Sequence, residues 1–144
     1  MTEPAVDGVH HAAIAVRDLA KLEAFYTQVL GLPVLRRWPE ADAPGEWRST
    51  WLDLGGGAFL ALERTADGAE ADGARAGSGY LMIALRIAPT ARAAWEARLA
   101  AAGVAVARRT DYTLYVDDPE GNRVGLSHWP EPAPLPAAQT SKDR

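Results

Sequence analysis

The chain has 144 residues, is 48% hydrophobic, contains no cysteine and carries 15 basic against 19 acidic side chains, for a net charge of −4. That length suffices for one domain to bury a core unaided, and the absence of thiols excludes a disulfide scaffold, a thiolate zinc site and a cysteine nucleophile. The charge balance, without a Lys/Arg cluster, argues against nucleic acid; no apolar run reaches the length of a membrane span and Met1 to Pro4 lacks the regions of a signal peptide, so a cytoplasmic protein is expected.

Val9 to Val16 alternates around Ile14 and Val16 and predicts a strand. Asp18 then offers a helix N-cap, and Leu22, Phe25, Tyr26, Val29 and Leu30 recur at helical spacing until Gly31 and Pro33 stop the helix. Three strands are predicted next, over Val34 to Trp38, Trp47 to Leu54 and Ala58 to Glu63, with Gly55, Gly56 and Gly57 as a hairpin turn. Residues 65–79 read as a linker.

The same order then returns. Tyr80 to Ile87 reads as a strand, Thr90 as the cap of a helix carrying Trp95, Leu99 and Ala102, and Gly103 as its stop. Val104 to Arg108, Thr113 to Val116 and Asn122 to Ser127 supply three more strands, with Asp118 to Gly121 as the closing turn. His11 and Met82 lie 71 positions apart, as do Asp18 and Pro89, so the halves read as a duplicated βαβββ module. Module one is expected over 8–64 and module two over 80–128, within one domain spanning 5–130. The Pro-rich residues 131–144 are expected to be a disordered tail.

The run from His11 through Asp18 and Leu19, followed by Phe25, Tyr26, Val29, Leu30 and Gly31, resembles the opening of modules of the vicinal oxygen chelate superfamily, which includes glyoxalase I, bleomycin resistance proteins and extradiol dioxygenases. The run Leu114, Tyr115, Val116, Asp117, Asp118, Pro119, Glu120, Gly121 and Asn122 is similar to the same superfamily's closing turn. The resemblance spans about Val9 to Ser127. It implies an α+β fold in which two βαβββ modules form a curled mixed sheet around a central cavity, with helices on the convex side.

Metal-dependent members hold a divalent ion at four strand positions. By the resemblance these fall on His11, Ala61, Met82 and Gly125, where the expected ligands are imidazole, carboxylate or similar. One of the four carries a good donor, and a single histidine does not hold a hard or borderline divalent ion against water. No cofactor is therefore expected. A rescuing metal site would have to combine His11 with Glu63, two residues beyond Ala61 on the same strand face and about 7 Å further along.

Strand alternation assigns a lining of His11, Ala13, Trp51, Asp53, Phe59, Ala61, Glu63, Met82, Ala84, Arg86, Gly125 and Ser127, with Ile14, Val16, Leu52, Leu54, Leu60, Leu62, Ile83 and Leu85 on the helix-covered side. His10 is expected to face away from His11, and His128 to be a partly exposed edge residue. Tyr115 lies ten residues before Gly125, where the resemblance implies the active-site tyrosine of extradiol dioxygenases. It is either a hydrogen-bonding anchor or a cross-strand space filler. Trp51, together with Trp38 and Trp47, could stack on a planar or cationic ligand or serve as core or interface filler.

Two functions from different classes follow. One is a metal-free binding protein of the bleomycin resistance type, holding a small aromatic or amphipathic molecule against His11, Trp51, Asp53, Phe59, Ala61, Glu63, Met82, Ala84, Arg86 and Tyr115. The other is a lyase, isomerase or dioxygenase with His11, Glu63 and Tyr115 as the candidate catalytic residues of a shifted metal site. A third reading, an interaction module whose tail reaches a partner, is distinguished by truncation after Pro130. A homodimer is expected under each, with no membrane or nucleic-acid partner.

Overall fold

The computed structural model describes residues 4–6, 8–65 and 80–128. Most of the expected linker and all of the expected tail lie outside them. The chain forms two compact units that divide after Ala71, and each is built from strands, one helix and a four-stranded mixed sheet.

In the first unit β1 (His11–Val16) leads into α1 (Leu19–Ala24), a π-helical turn (Phe25–Val29), then β2 (Val34–Pro39), β3 (Trp47–Gly55) and β4 (Ala58–Arg64). The sheet order is β1-β4-β3-β2, with β1 parallel to β4 and the other pairs antiparallel. Asp18 caps α1 as expected, its side chain accepting the Lys21 amide at 3.1 Å. The helix does not continue regularly to Leu30. Its hydrogen bonds slip to i→i+5 spacing, with Leu30 N–H donating to the Phe25 carbonyl, and the Thr27 hydroxyl donates to the Glu23 carbonyl. Gly31, at φ 77°, then turns the chain out of the helix.

Val16, Leu22, Tyr26, Leu52, Leu60 and Leu62 are fully buried between α1 and the sheet. Each such side chain contributes about 1.5–3 kcal/mol of burial, so this face is the stabilising core. Among the described residues, the opposite face of the sheet carries no helix of this unit.

The second unit repeats the plan: β5 (Ile83–Arg86), a 3₁₀ turn (Pro89–Ala91), α2 (Arg92–Ala101), β6 (Arg108–Arg109), β7 (Thr113–Asp117) and β8 (Arg123–Ser127), in sheet order β5-β8-β7-β6. Its core is Ile87, Leu99, Leu114, Val116, Val124 and Leu126. The duplication extends to register. Ala13 pairs with Ala61 in the first sheet and Ala84 with Gly125 in the second, each strand having kept its place in the repeat.

Several boundaries differ from expectation, each for a local reason. Thr90 does not cap α2: Pro89 starts a 3₁₀ turn one residue earlier, and α2 follows Ala91 without a side-chain cap. The strand expected from Val104 begins only at Arg108, because the Val104 amide is taken by the Leu99 carbonyl and the Gly103 amide by that of Ala100, closing the helix in a Schellman motif. Tyr80, Leu81 and Met82 are exposed and outside β5. The stretch of β8 they would pair with gives way to the closing turn, where Asp118 already binds the Asn122 amide. Ala102 is exposed rather than packed.

Candidate functional site

On the face of the first sheet opposite α1, aromatic side chains from four adjacent strands touch in series. The His11 ring of β1 stacks on Phe59 of β4 with centroids 4.7 Å apart and planes 4° from parallel. Phe59 stacks in turn on Trp51 of β3 at 4.4 Å and 22°, and Trp51 meets Trp38 of β2 edge-on at 5.2 Å. The Arg36 guanidinium lies over Trp38, 3.7 Å from the ring centroid. A register shift between Val34 and Arg36 brings Arg36 opposite Trp51 and Trp38 opposite Ser49. His10 also joins this cluster instead of facing away: the strand begins at His11, so alternation does not govern His10, and its Nδ1 lies 2.8 Å from that of His11.

The polar residues expected on this face are held by local bonds. Asp53 accepts the Gly55 amide at 2.7 Å, which closes the β3–β4 turn. Glu63 accepts the Ser49 hydroxyl at 2.9 Å across the strand pair. Glu63 is level with Ala15, four residues along β1 from His11, about 13 Å at strand rise, so the register does not bring the two together. Ala61 is buried, 2% exposed, beside Ala13 and Trp51.

In the second unit, Ala84, Arg86, Tyr115, Gly125 and Ser127 lie toward one face of the sheet by register, while Met82 lies outside β5. Tyr115 is opposite Gly125, and Gly125 is opposite Ala84. A Cβ placed on Gly125 would meet the Thr113 methyl at 3.2 Å and the Met82 sulfur at 3.6 Å, so neighbouring side chains already occupy the space a ligating residue would use. Ser127 accepts the Thr113 hydroxyl at 2.9 Å, and Arg108 sits 5.6 Å from the Tyr115 ring centroid. His128 is half-buried, edge-on to Tyr112. Sequence reading missed Arg36, Ser49, Thr113 and Arg108; only cross-strand register reveals them.

The donor chemistry does not fit a divalent ion. The four positions offer one imidazole, one thioether and two residues without a donor, and no group of three His, Asp or Glu converges among the described residues. A groove of about 790 Å³ does exist on the helix side of the first unit, lined by Arg17, Glu23, Arg37, Gly45, Trp47 and Arg64 among others. Its charges are engaged with one another: Arg37 pairs with Glu23, and Arg64 with Glu40 and Glu46. Among the described residues, no helix is long and apolar enough to cross a membrane.

A family profile described as glyoxalase/bleomycin resistance protein/dioxygenase superfamily matches residues 8–126. No curated protein matches the sequence. Among solved structures, the fold is similar to a glyoxalase/dioxygenase from Nostoc punctiforme, with a TM-score of 0.66 at 17% identity, covering 91% of this chain and 100% of that one. It is also similar to lactoylglutathione lyase from Agrobacterium tumefaciens, with a TM-score of 0.62 at 23% identity over 86% and 95% of the two chains. A third likeness is to TnmS3, an antibiotic binding protein from Streptomyces sp. CB03234, with a TM-score of 0.61 at 24% identity over 88% and 98%.

Proposed function

Because the chain belongs to the glyoxalase/bleomycin resistance protein/dioxygenase superfamily, we propose that it is a binding member of that superfamily, holding a small aromatic molecule without metal on the face of its first sheet opposite α1. The observation that carries this reading is the ladder of His11, Phe59, Trp51 and Trp38, which runs across all four strands of the first sheet, on the face that also holds Ala61. Aromatic rings supply large apolar contact at low entropic cost, and a few polar groups at the margin orient a ligand. Glyoxalases and antibiotic binding proteins share this fold, so the fold does not choose between catalysis and capture. The replacement of donors by Ala61, Met82 and Gly125 favours capture.

Metal content by mass spectrometry, with calorimetric titration of nickel, zinc, manganese and iron(II), tests the metal-free half of the reading. Substoichiometric metal and no heat of binding are expected. A stoichiometric ion that disappears in His11→Ala would instead place the protein among the metal-dependent enzymes. A screen of small aromatics read by tryptophan fluorescence tests the other half, since Trp38 and Trp51 both lie in the ladder; calorimetric binding that stays as tight in a Trp38→Leu, Trp51→Leu double variant would move binding off this face.

A further inference from the structure

We infer that the molecule this face selects is a neutral, electron-rich planar aromatic carrying an acceptor oxygen, and not a cation; the inference rests on reading this face as the binding surface. It follows from which parts of the rings remain available. β4 lies between β1 and β3, so His11 and Trp51 approach Phe59 from opposite sides. With one at 4.7 Å and 4° and the other at 4.4 Å and 22°, both Phe59 faces are covered, and the residue is only 9% exposed. Trp51 gives one face to Phe59 and meets the Trp38 ring on its β2 side, while Trp38 carries the Arg36 guanidinium 3.7 Å from its centroid.

A cation binds an aromatic ring over its face, where the π density is negative. In this ladder both faces of Phe59 and one of Trp51 are engaged by neighbouring rings, and a Trp38 face already holds the protein's own cation. Rings stacked along the direction that joins the strands turn their edges, not their faces, away from the sheet. The edges are the positive part of the quadrupole, and they complement an electron-rich ring laid flat across them in edge-to-face geometry.

A second observation adds an acceptor to the ligand. The indole N–H groups of Trp38 and Trp51 are buried with no hydrogen-bond partner among the described residues. Buried donors left unpaired are costly, so a ligand oxygen that displaces the atoms covering either one gains more than it would from a donor already satisfied. Asp53 and Glu63 border the same face, which disfavours an anionic ligand, and each already accepts a hydrogen bond, from the Gly55 amide and the Ser49 hydroxyl, rather than standing ready to pair with a cation.

The probes are 2-naphthol and N-methylquinolinium, fused bicyclic rings of similar size and opposite character, titrated calorimetrically into the full chain. Binding of 2-naphthol at least about tenfold tighter is expected. Equal or tighter binding of N-methylquinolinium would overturn the inference while leaving an aromatic-binding face in place, whereas binding of neither probe would overturn that reading as well. His11→Ala removes an exposed ring and uncovers one face of Phe59. The variant should therefore gain affinity for N-methylquinolinium and lower the preference by about threefold or more. An unchanged preference in a folded variant, verified by circular dichroism, would show that covered faces are not what selects the ligand.

Discussion

The Glu23 carboxylate on α1 accepts the Thr50 hydroxyl of β3 at 2.6 Å, linking the helix to the middle of the first sheet through a fully buried threonine. The Arg37 side chain of β2 binds the same carboxylate. Hydrogen bonding from Arg37 is the main cause that holds the Glu23 pKa below its ordinary value of 4.5; burial opposes it, and Thr50 and the Arg37 charge add to it. A carboxylate with a depressed folded pKa stabilises the protein above its unfolded pKa, and the contribution is lost as pH falls through the lower folded value. Thermal stability should therefore decline below about pH 4.5, and less steeply in Glu23→Gln than in wild type. Identical pH profiles of melting temperature would refute the assignment. Thr50→Val, which keeps shape but removes the donor, should cost about 1 kcal/mol in urea unfolding.

Gly125 has ordinary backbone geometry, and space is what restricts it. Gly125→Ala puts a Cβ 3.2 Å from the Thr113 methyl, and overpacking of this kind should cost about 1 kcal/mol. Thr113→Ser removes that methyl and keeps the hydroxyl that donates to Ser127. In a double-mutant cycle by denaturant unfolding, the serine should recover most of the loss; strictly additive effects would rule out the contact as the cause.

Asp118 organises the closing turn. The side chain accepts the backbone amides of Glu120 and Asn122, each at 2.9 Å, as well as the Asn122 side-chain amide, and the residue is 4% exposed. Asp118→Ala leaves several donors without their acceptor and should destabilise the second unit by about 2–3 kcal/mol. Hydrogen exchange should show the loss concentrated at Glu120 to Val124, and a loss below about 0.5 kcal/mol would mean water replaces the carboxylate.

Gly103 sits at φ 72°, the left-handed position that ends α2 in its Schellman motif. Gly103→Ala should cost about 1 kcal/mol, because a Cβ is disfavoured there. No atom lies within 4 Å of the added Cβ, so the cost is conformational rather than steric crowding by neighbours. Gly103→Asn, which tolerates this region better, should cost less in the same melting experiment.

Much of the fold was legible before any coordinates because it depends on near neighbours in sequence. The Asp18 cap, the stops at Gly31 and Gly103, the Gly55 to Gly57 turn and the inward and outward faces of β3 and β4 follow from turn chemistry and a two-residue period. So does the duplication, since each module repeats those local signals. The candidate site was legible as a face, with His11, Trp51, Phe59 and Ala61 on one side of the first sheet.

How those residues meet was decided by the tertiary structure. His11 reaches Phe59 across 48 residues of chain, and the shift in β2 that brings Arg36 and Trp38 beside Trp51 breaks the alternation from which a face is read. The pairing of Glu63 with Ser49, and the filling of the Gly125 position by Met82 and Thr113, likewise depend on contacts between strands. Backbone period and turn chemistry act over a few residues, so the amino-acid sequence alone determined the elements and their faces. Register between strands is set by packing and hydrogen bonds among segments far apart in the chain, and only the folded structure expresses it.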